Sequence, residues 1–356
     1  MRVLITGNLG YVGSALVPHL RAAFPAAELI GYDAGFFAHC VTNATRLPET
    51  LLDRQHFGDI RDFPAQLLAG VDVLVHLAAI SNDPIGRLFE SVTEEVNAGA
   101  SLRLGLLAAS AGVRSFVFAS SCSIYGFAEG DARRENDALN PLTAYARSKV
   151  AAEHGLADLD ADGMTITCLR FATACGMSSR LRLDLVLNDF VASAVASGAI
   201  AVLSDGSPWR PLIDVGDMGR AIEWAIGRDQ SAGGRMLSVN VGSNVWNFQV
   251  SELAHAVANS LPGTRITINQ SAPPDNRSYR VDFSLYGRLA PQHQPASNLN
   301  QTIARLVESL RSMTFRDPDF RNSSLIRLKV LNRLMDEGKL SPSLRWQSSV
   351  TEGLAA

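Results

Sequence analysis

The chain opens with Met1-Arg2-Val3-Leu4-Ile5-Thr6-Gly7-Asn8-Leu9-Gly10-Tyr11-Val12-Gly13. Residues 2–6 read as a buried strand, and an apolar-periodic helix runs from about 10 to 23. The glycines between them let backbone approach a pyrophosphate that side chains would hold off, while the helix N-terminus offers N–H groups and a favourable dipole. Gly7, Gly10 and Gly13, with Tyr11 and Val12, are thus the first candidates for cofactor binding, in a variant of the dinucleotide fingerprint. With a strand beginning at residue 2, no secretory signal is expected before the fold.

Outward from this unit, short β-branched runs alternate with helical patterns. Strands are expected at 28–32, 71–77, 115–120 and 165–170, and helices at 96–111 and 145–157. Such alternation implies a doubly wound α/β fold, a parallel sheet with helices on both faces. The pattern loosens at 174–210, where a helix is expected near 185–197, and returns at 211–242. A smaller α/β lobe follows, with a loop at 290–300 and a basic-apolar helix at 325–335. We therefore expect a dinucleotide domain of residues 1–173 plus 211–242, and a substrate lobe of residues 174–210 plus 243–356.

Composition narrows the function classes. The 356 residues are 47% apolar and carry a formal charge of −3 with no basic block, which argues against nucleic acid as a partner. No apolar run is long enough to span a bilayer. Cys40, Cys122, Cys168 and Cys175 form no CxxC pair, so neither zinc nor a disulfide framework is expected, and a reducing cytoplasm fits.

Asp33 ends the second strand about 20 residues past the last glycine, where an acid would bond the adenosine ribose hydroxyls and repel a 2′-phosphate. NAD is thereby favoured over NADP. Asp59, followed by Ile60, is placed to meet the adenine. Tyr145 and Lys149 share one helix face. A free tyrosine titrates near 10, too high for a base at neutral pH, so a neighbouring ammonium would be needed to favour the phenolate. Ser121 at the preceding strand end would hydrogen-bond the reacting oxygen.

Together these residues, with His76-Leu77-Ala78-Ala79, Asn97, 120–126 and 210–217, resemble the extended short-chain dehydrogenases/reductases of the NAD-dependent sugar epimerase/dehydratase group over about residues 1–285. The resemblance implies a Rossmann-type sheet and catalysis by Ser121, Tyr145 and Lys149. It implies that Leu77, Ala78, Ala79, Asn97 and Phe171 serve the cofactor, and that Ser81, Ser123, Thr173, Asn188, Arg210 and Arg277 serve a nucleotide diphosphate sugar. Arg180 and Arg182 would serve the same anion. Relatives often dimerise through helices corresponding to 97–111 and 145–157. His76, inside an apolar run, reads as packed core, and Tyr125 as either pocket or packing.

The chain departs from the group's dehydratases, which carry an Asp-Glu pair after the catalytic Ser/Thr. Here Cys122 and Ser123 stand there, which disfavours dehydration. Some C3/C5 epimerases use a cysteine where Ser123 stands, so Cys122 is out of register. The group's usual asparagine is replaced by Thr173. Hydride exchange at C4 of a nucleotide-linked sugar through a 4-keto species, as epimerase, dehydrogenase or ketoreductase, is the leading expectation. A small non-nucleotide carbonyl substrate and a non-enzymatic NAD-binding module are the competitors. The run 321–346 is expected to serve packing or a subunit contact.

Overall fold

The computed structural model describes residues 1–81, 83–272 and 277–347. Its strands are β1 Arg2–Thr6, β2 Glu28–Asp33, β3 Arg54–Phe57, β4 Val73–His76, β5 Ser115–Ser121, β6 Thr165–Phe171, β7 Thr173–Cys175, β8 Ala199–Val202, β9 Trp209–Asp214, β10 Met236–Val241, β11 Asn247–Gln249 and β12 Arg265–Ile268. Its helices are α1 Tyr11–Ala23, α2 Asp83–Leu88, α3 Glu90–Glu94, α4 Ala100–Ser110, α5 Ala144–Ala157, α6 Val186–Ser197, α7 Val215–Gly227, α8 Val250–Ser260, α9 Ser284–Leu289, α10 Leu299–Ser312 and α11 Arg327–Asp336.

Seven strands form a parallel sheet in the order β10-β6-β5-β4-β1-β2-β3. The apolar runs of β4 and β6 are buried along their whole length, as a sheet covered on both faces requires. The chain builds from β1 outward to β3, then returns beside β1 with β4 and builds the other way. That reversal opens a crevice at the C-terminal ends of β1 and β4, where ligands of open α/β sheets bind.

Most expected elements stand within a residue or two of their positions, and the differences have physical causes. β3 was not expected, because Arg-Gln-His-Phe lacks apolar alternation; it is an edge strand with Phe57 exposed. The single helix expected at 96–111 is broken by a π turn, Glu95–Gly99, which carries the fully buried Asn97. Within 211–242, α7 packs against α1 and β10 closes the sheet, but β9 belongs to a separate sheet, β11-β9-β7. The expected loop at 290–300 contains a 3-10 turn, Pro291–His293, and ends where Asn298 and Gln301 form the capping box of α10.

The C-terminal segment joins the body rather than trailing from it. Val330, Leu331, Leu334, Leu340 and Leu344 share a buried apolar cluster with Cys40, Ile80, Ile85 and Val92. Among the described residues, no helix is long and apolar enough to cross a membrane, and no His/Cys/Asp/Glu group could hold a metal. All four cysteines are buried and unpaired.

Candidate active site

A cavity of about 930 Å³ lies over the crevice. The glycine turn forms its floor. Gly7, at φ 75°, has no room for a side chain: a Cβ would sit 2.6 Å from the Ala78 nitrogen. Gly10 differs, since a Cβ there would meet only the Gly7 carbonyl oxygen, at 3.2 Å, so the ground above it is open towards the cavity. α1 follows Gly10, an N-cap with no side chain to bond it, so its first N–H groups are available to an anion. This floor fits a dinucleotide diphosphate.

Asp33, at the end of β2, lines the cavity and also braces the turn, accepting from the Leu9 N–H at 3.0 Å and the Gly35 N–H at 2.7 Å. Burial raises its pKa above the usual carboxylate value against the pull of those two bonds. Asp59 caps the turn it begins and pairs with Arg61. Burial works against its charge, but the Arg61 bonds prevail and hold its pKa low.

Beside the floor stands the group expected to do the chemistry. Ser121 ends β5, its Oγ accepting from the Ser123 N–H at 3.1 Å and donating to the Ser123 Oγ at 2.9 Å. Thr143 caps α5, which delivers Tyr145 and Lys149 one turn apart. Lys149 Nζ donates to the Ala119 carbonyl at 2.7 Å and lies 5.7 Å from the Tyr145 ring centre. Burial pushes Tyr145 up to about 12, while its hydrogen bond with Ser121 and the charge of Arg182 pull it down. Burial brings Lys149 down to about 8. Arg182 is thus a cation of the protein that favours the Tyr145 phenolate.

Several buried groups position these residues. Asn97 accepts from the Ile80 N–H at 2.8 Å and donates to the Ile80 carbonyl at 2.9 Å and to the Ser148 Oγ at 3.1 Å, tying the loop after β4 to α5. It does not line the cavity: both ends of its amide are occupied internally. His76 lies between Thr6 and Ser101, at 2.6 and 2.8 Å, and burial, helped by Lys149, lowers it to about 3. It is packed core, as its apolar run suggested. Tyr125 is buried with its hydroxyl on Asn240 at 2.8 Å, and packs rather than lining the cavity. Beneath Ser120 lies an ion pair that sequence reading missed: Arg170 and Glu153 at 2.7 Å, with Ser120 and Ser238 also donating to the carboxylate. Nothing in the local pattern marks it, because Glu153 also follows Lys149 at ordinary helix spacing.

The outer wall comes from segments far apart in the chain. Ser81, Ser123, Phe171, Thr173, Arg210 and Arg277 line the cavity, together with Ile60, Leu77, Ala78 and Ala79. Arg277 bonds Asp83 at 3.0 Å, and Arg210 donates to its neighbour's carbonyl at 2.9 Å. Two of the expected anion ligands do not line the cavity. Asn188 is fully buried off the cavity, its amide holding Gly176 and the Arg182 carbonyl at 2.9 Å each. Arg180 is committed to Glu49 at 2.8 Å and to the Ser14 Oγ at 3.1 Å. Arg182 does line the cavity, paired with Asp184 and donating to the Ser81 carbonyl at 3.0 Å. Asp83, Tyr279, Arg327, Leu331 and Leu344 line it too, and no sequence motif pointed to them.

Residues 3–242 match the NAD dependent epimerase/dehydratase family, and the chain belongs to it. It is an NAD-dependent enzyme with the Rossmann-type fold of the extended short-chain dehydrogenases/reductases. An uncharacterized UDP-glucose epimerase, YtcB, of Bacillus subtilis is 29% identical over 251 residues, which is 68% of this chain and 77% of the relative. A dTDP-glucose 4,6-dehydratase of Streptomyces griseus is 28% identical over 309 residues, covering 85% and 93%. The solved structure of MoeE5 in complex with UDP-glucuronic acid and NAD superposes with a TM-score of 0.75 at 25% identity, over 88% of this chain and all of that one.

Proposed function

We propose that this enzyme exchanges hydride at C4 of a nucleotide-linked sugar, a UDP-sugar being the first candidate, and that it works as a 4-epimerase through a 4-keto species. The observation that carries the reading is the meeting of Ser121, Tyr145 and Lys149 in one cavity whose strand end bears no acid. Cys122 is buried against the Arg170 carbonyl at 3.0 Å, and burial raises its thiol pKa well above the ordinary value, so it cannot protonate a departing hydroxyl. Ser123 has no suitable pKa for that work. Dehydration therefore lacks its acid at the family's position.

Bound NAD supplies the hydride acceptor and a positive ring that adds to Arg182 in favouring the Tyr145 phenolate. Tyr145 takes the C4 hydroxyl proton and returns it when the keto group is reduced. Ser121, which lines the cavity beside Tyr145, holds the reacting oxygen. Lys149, near 8, is a proton-exchange partner close to neutral pH. Arg210 and Arg277 face the cavity as diphosphate ligands, a task suited to their forked donors.

Leu106 on α4 is 54% exposed next to the α4–α5 pair, which supports a homodimer through these helices; a monomeric mass in solution scattering would remove it. Four unpaired cysteines suit a cytoplasmic enzyme.

The test is mass spectrometry of ligands released from purified protein, followed by turnover of UDP-sugars while nicotinamide absorbance is watched. We expect NAD to be released and the C4 epimer to form without net NADH. Turnover of a small carbonyl compound with none of any nucleotide sugar would overturn the reading.

A further inference from the structure

The cavity wall contains a buried cation that forms no ion pair among the described residues, the nearby Asp184 being paired with Arg182. Arg327, the first residue of α11, is only 3% exposed yet lines the cavity. Its Nη2 donates to the Arg180 carbonyl at 2.7 Å, and its guanidinium lies 4.8 Å from the centre of the Phe37 ring. Among the described residues no carboxylate pairs with it. The arginines around it are already matched: Arg180 with Glu49, Arg182 with Asp184, Arg321 with Asp189. A buried cation left unpaired is costly unless an anion arrives to meet it.

The rest of the segment is fastened over the same place. Arg61 donates to the Ser343 carbonyl at 2.9 Å and to the Leu344 carbonyl at 3.2 Å while also holding Asp59. Trp346 Nε1 donates to the Ala34 carbonyl at 2.6 Å, and its ring packs against Phe36. Leu331 and Leu344 face the cavity. The family match ends at residue 242, so this wall is built from outside it.

We propose that residues 320–346 form the outer wall of the dinucleotide site, with Arg327 as a ligand for the diphosphate of NAD. The geometry favours the cofactor over the substrate as the source of that diphosphate. Arg327 is seated on Phe37, just past β2, and on Arg180, whose guanidinium reaches Ser14 in the first turn of α1. The inference rests on the NAD site alone, so it can fail while the sugar chemistry stands, and the reverse.

The test titrates NAD and UDP separately into the full-length protein by calorimetry and records thermal melting with and without NAD. Arg327→Met keeps the length of the side chain and removes its charge. It should weaken NAD about 10- to 100-fold, leave UDP unchanged, and not lower the melting temperature measured without NAD. Arg327→Lys should restore most of the affinity. Trp346→Ala, changed at the half-exposed end of the wall, should speed NAD release several-fold, and it keeps the proposal testable should Arg327→Met not fold. Unchanged NAD affinity in Arg327→Met, a loss confined to UDP, or, where that variant does not fold, unchanged NAD release in Trp346→Ala would overturn it.

Discussion

The two walls of the cavity are built in different ways. The inner wall, carrying Ser121, Tyr145 and Lys149, stands on β5, a strand of the central sheet, and on α5 packed against it, and burial draws Tyr145 and Lys149 towards their neutral forms. The outer wall is assembled from loops and late segments, and it is rich in arginine: Arg182, Arg210, Arg277, Arg321 and Arg327. Desolvated groups near their neutral forms suit proton transfer. Forked cations on separate segments suit the holding of anions. The difference separates chemistry from binding, and substitutions in each wall should fail in different ways.

The largest effect is expected on the inner wall. Tyr145→Phe should lower turnover about 10²- to 10⁴-fold while NAD still binds, measured by steady-state kinetics beside NAD calorimetry. Weakened NAD with normal turnover would break the contrast between the walls. Next, Glu153→Ala should cost about 3–5 kcal/mol in chemical denaturation, because it strands the buried Arg170. On the outer wall, Arg210→Ala should raise KM about 10- to 100-fold with kcat little changed, the mark of lost uniform binding. The smallest effect concerns acid stability. His76 is neutral in the fold, with a value of about 3 against an ordinary 6.5. The unfolded chain therefore binds the extra proton between those values, and stability falls as pH drops through that window. His76→Gln should remove about 2 kcal/mol of that loss near pH 5, read from unfolding curves across pH.

The same contrast explains what the sequence reveals. Gly7, Asp33, Ser121, Tyr145 and Lys149 are legible as cavity residues because each sits at a strand end, in the turn after one, or at four-residue spacing on one helix, and the sheet brings those places together. Arg327 and Leu344 are not legible. They reach the cavity only because an apolar cluster folds the C-terminal segment back on Ile80 and Cys40, and no local pattern encodes that distance. Asn188 and Arg180 stand off the cavity for the opposite reason. Their residue types suit an anion, but Gly176 and Glu49 had already taken their bonds. β3 escaped because an edge strand needs no alternation.

The central claim is that hydride leaves C4 of a nucleotide sugar and returns to it. A UDP-sugar carrying deuterium at C4 tests this most directly. The account predicts a C4 epimer that keeps its deuterium at C4, with no net NADH. Loss of the label to solvent, or a product altered at a carbon other than C4, would contradict it.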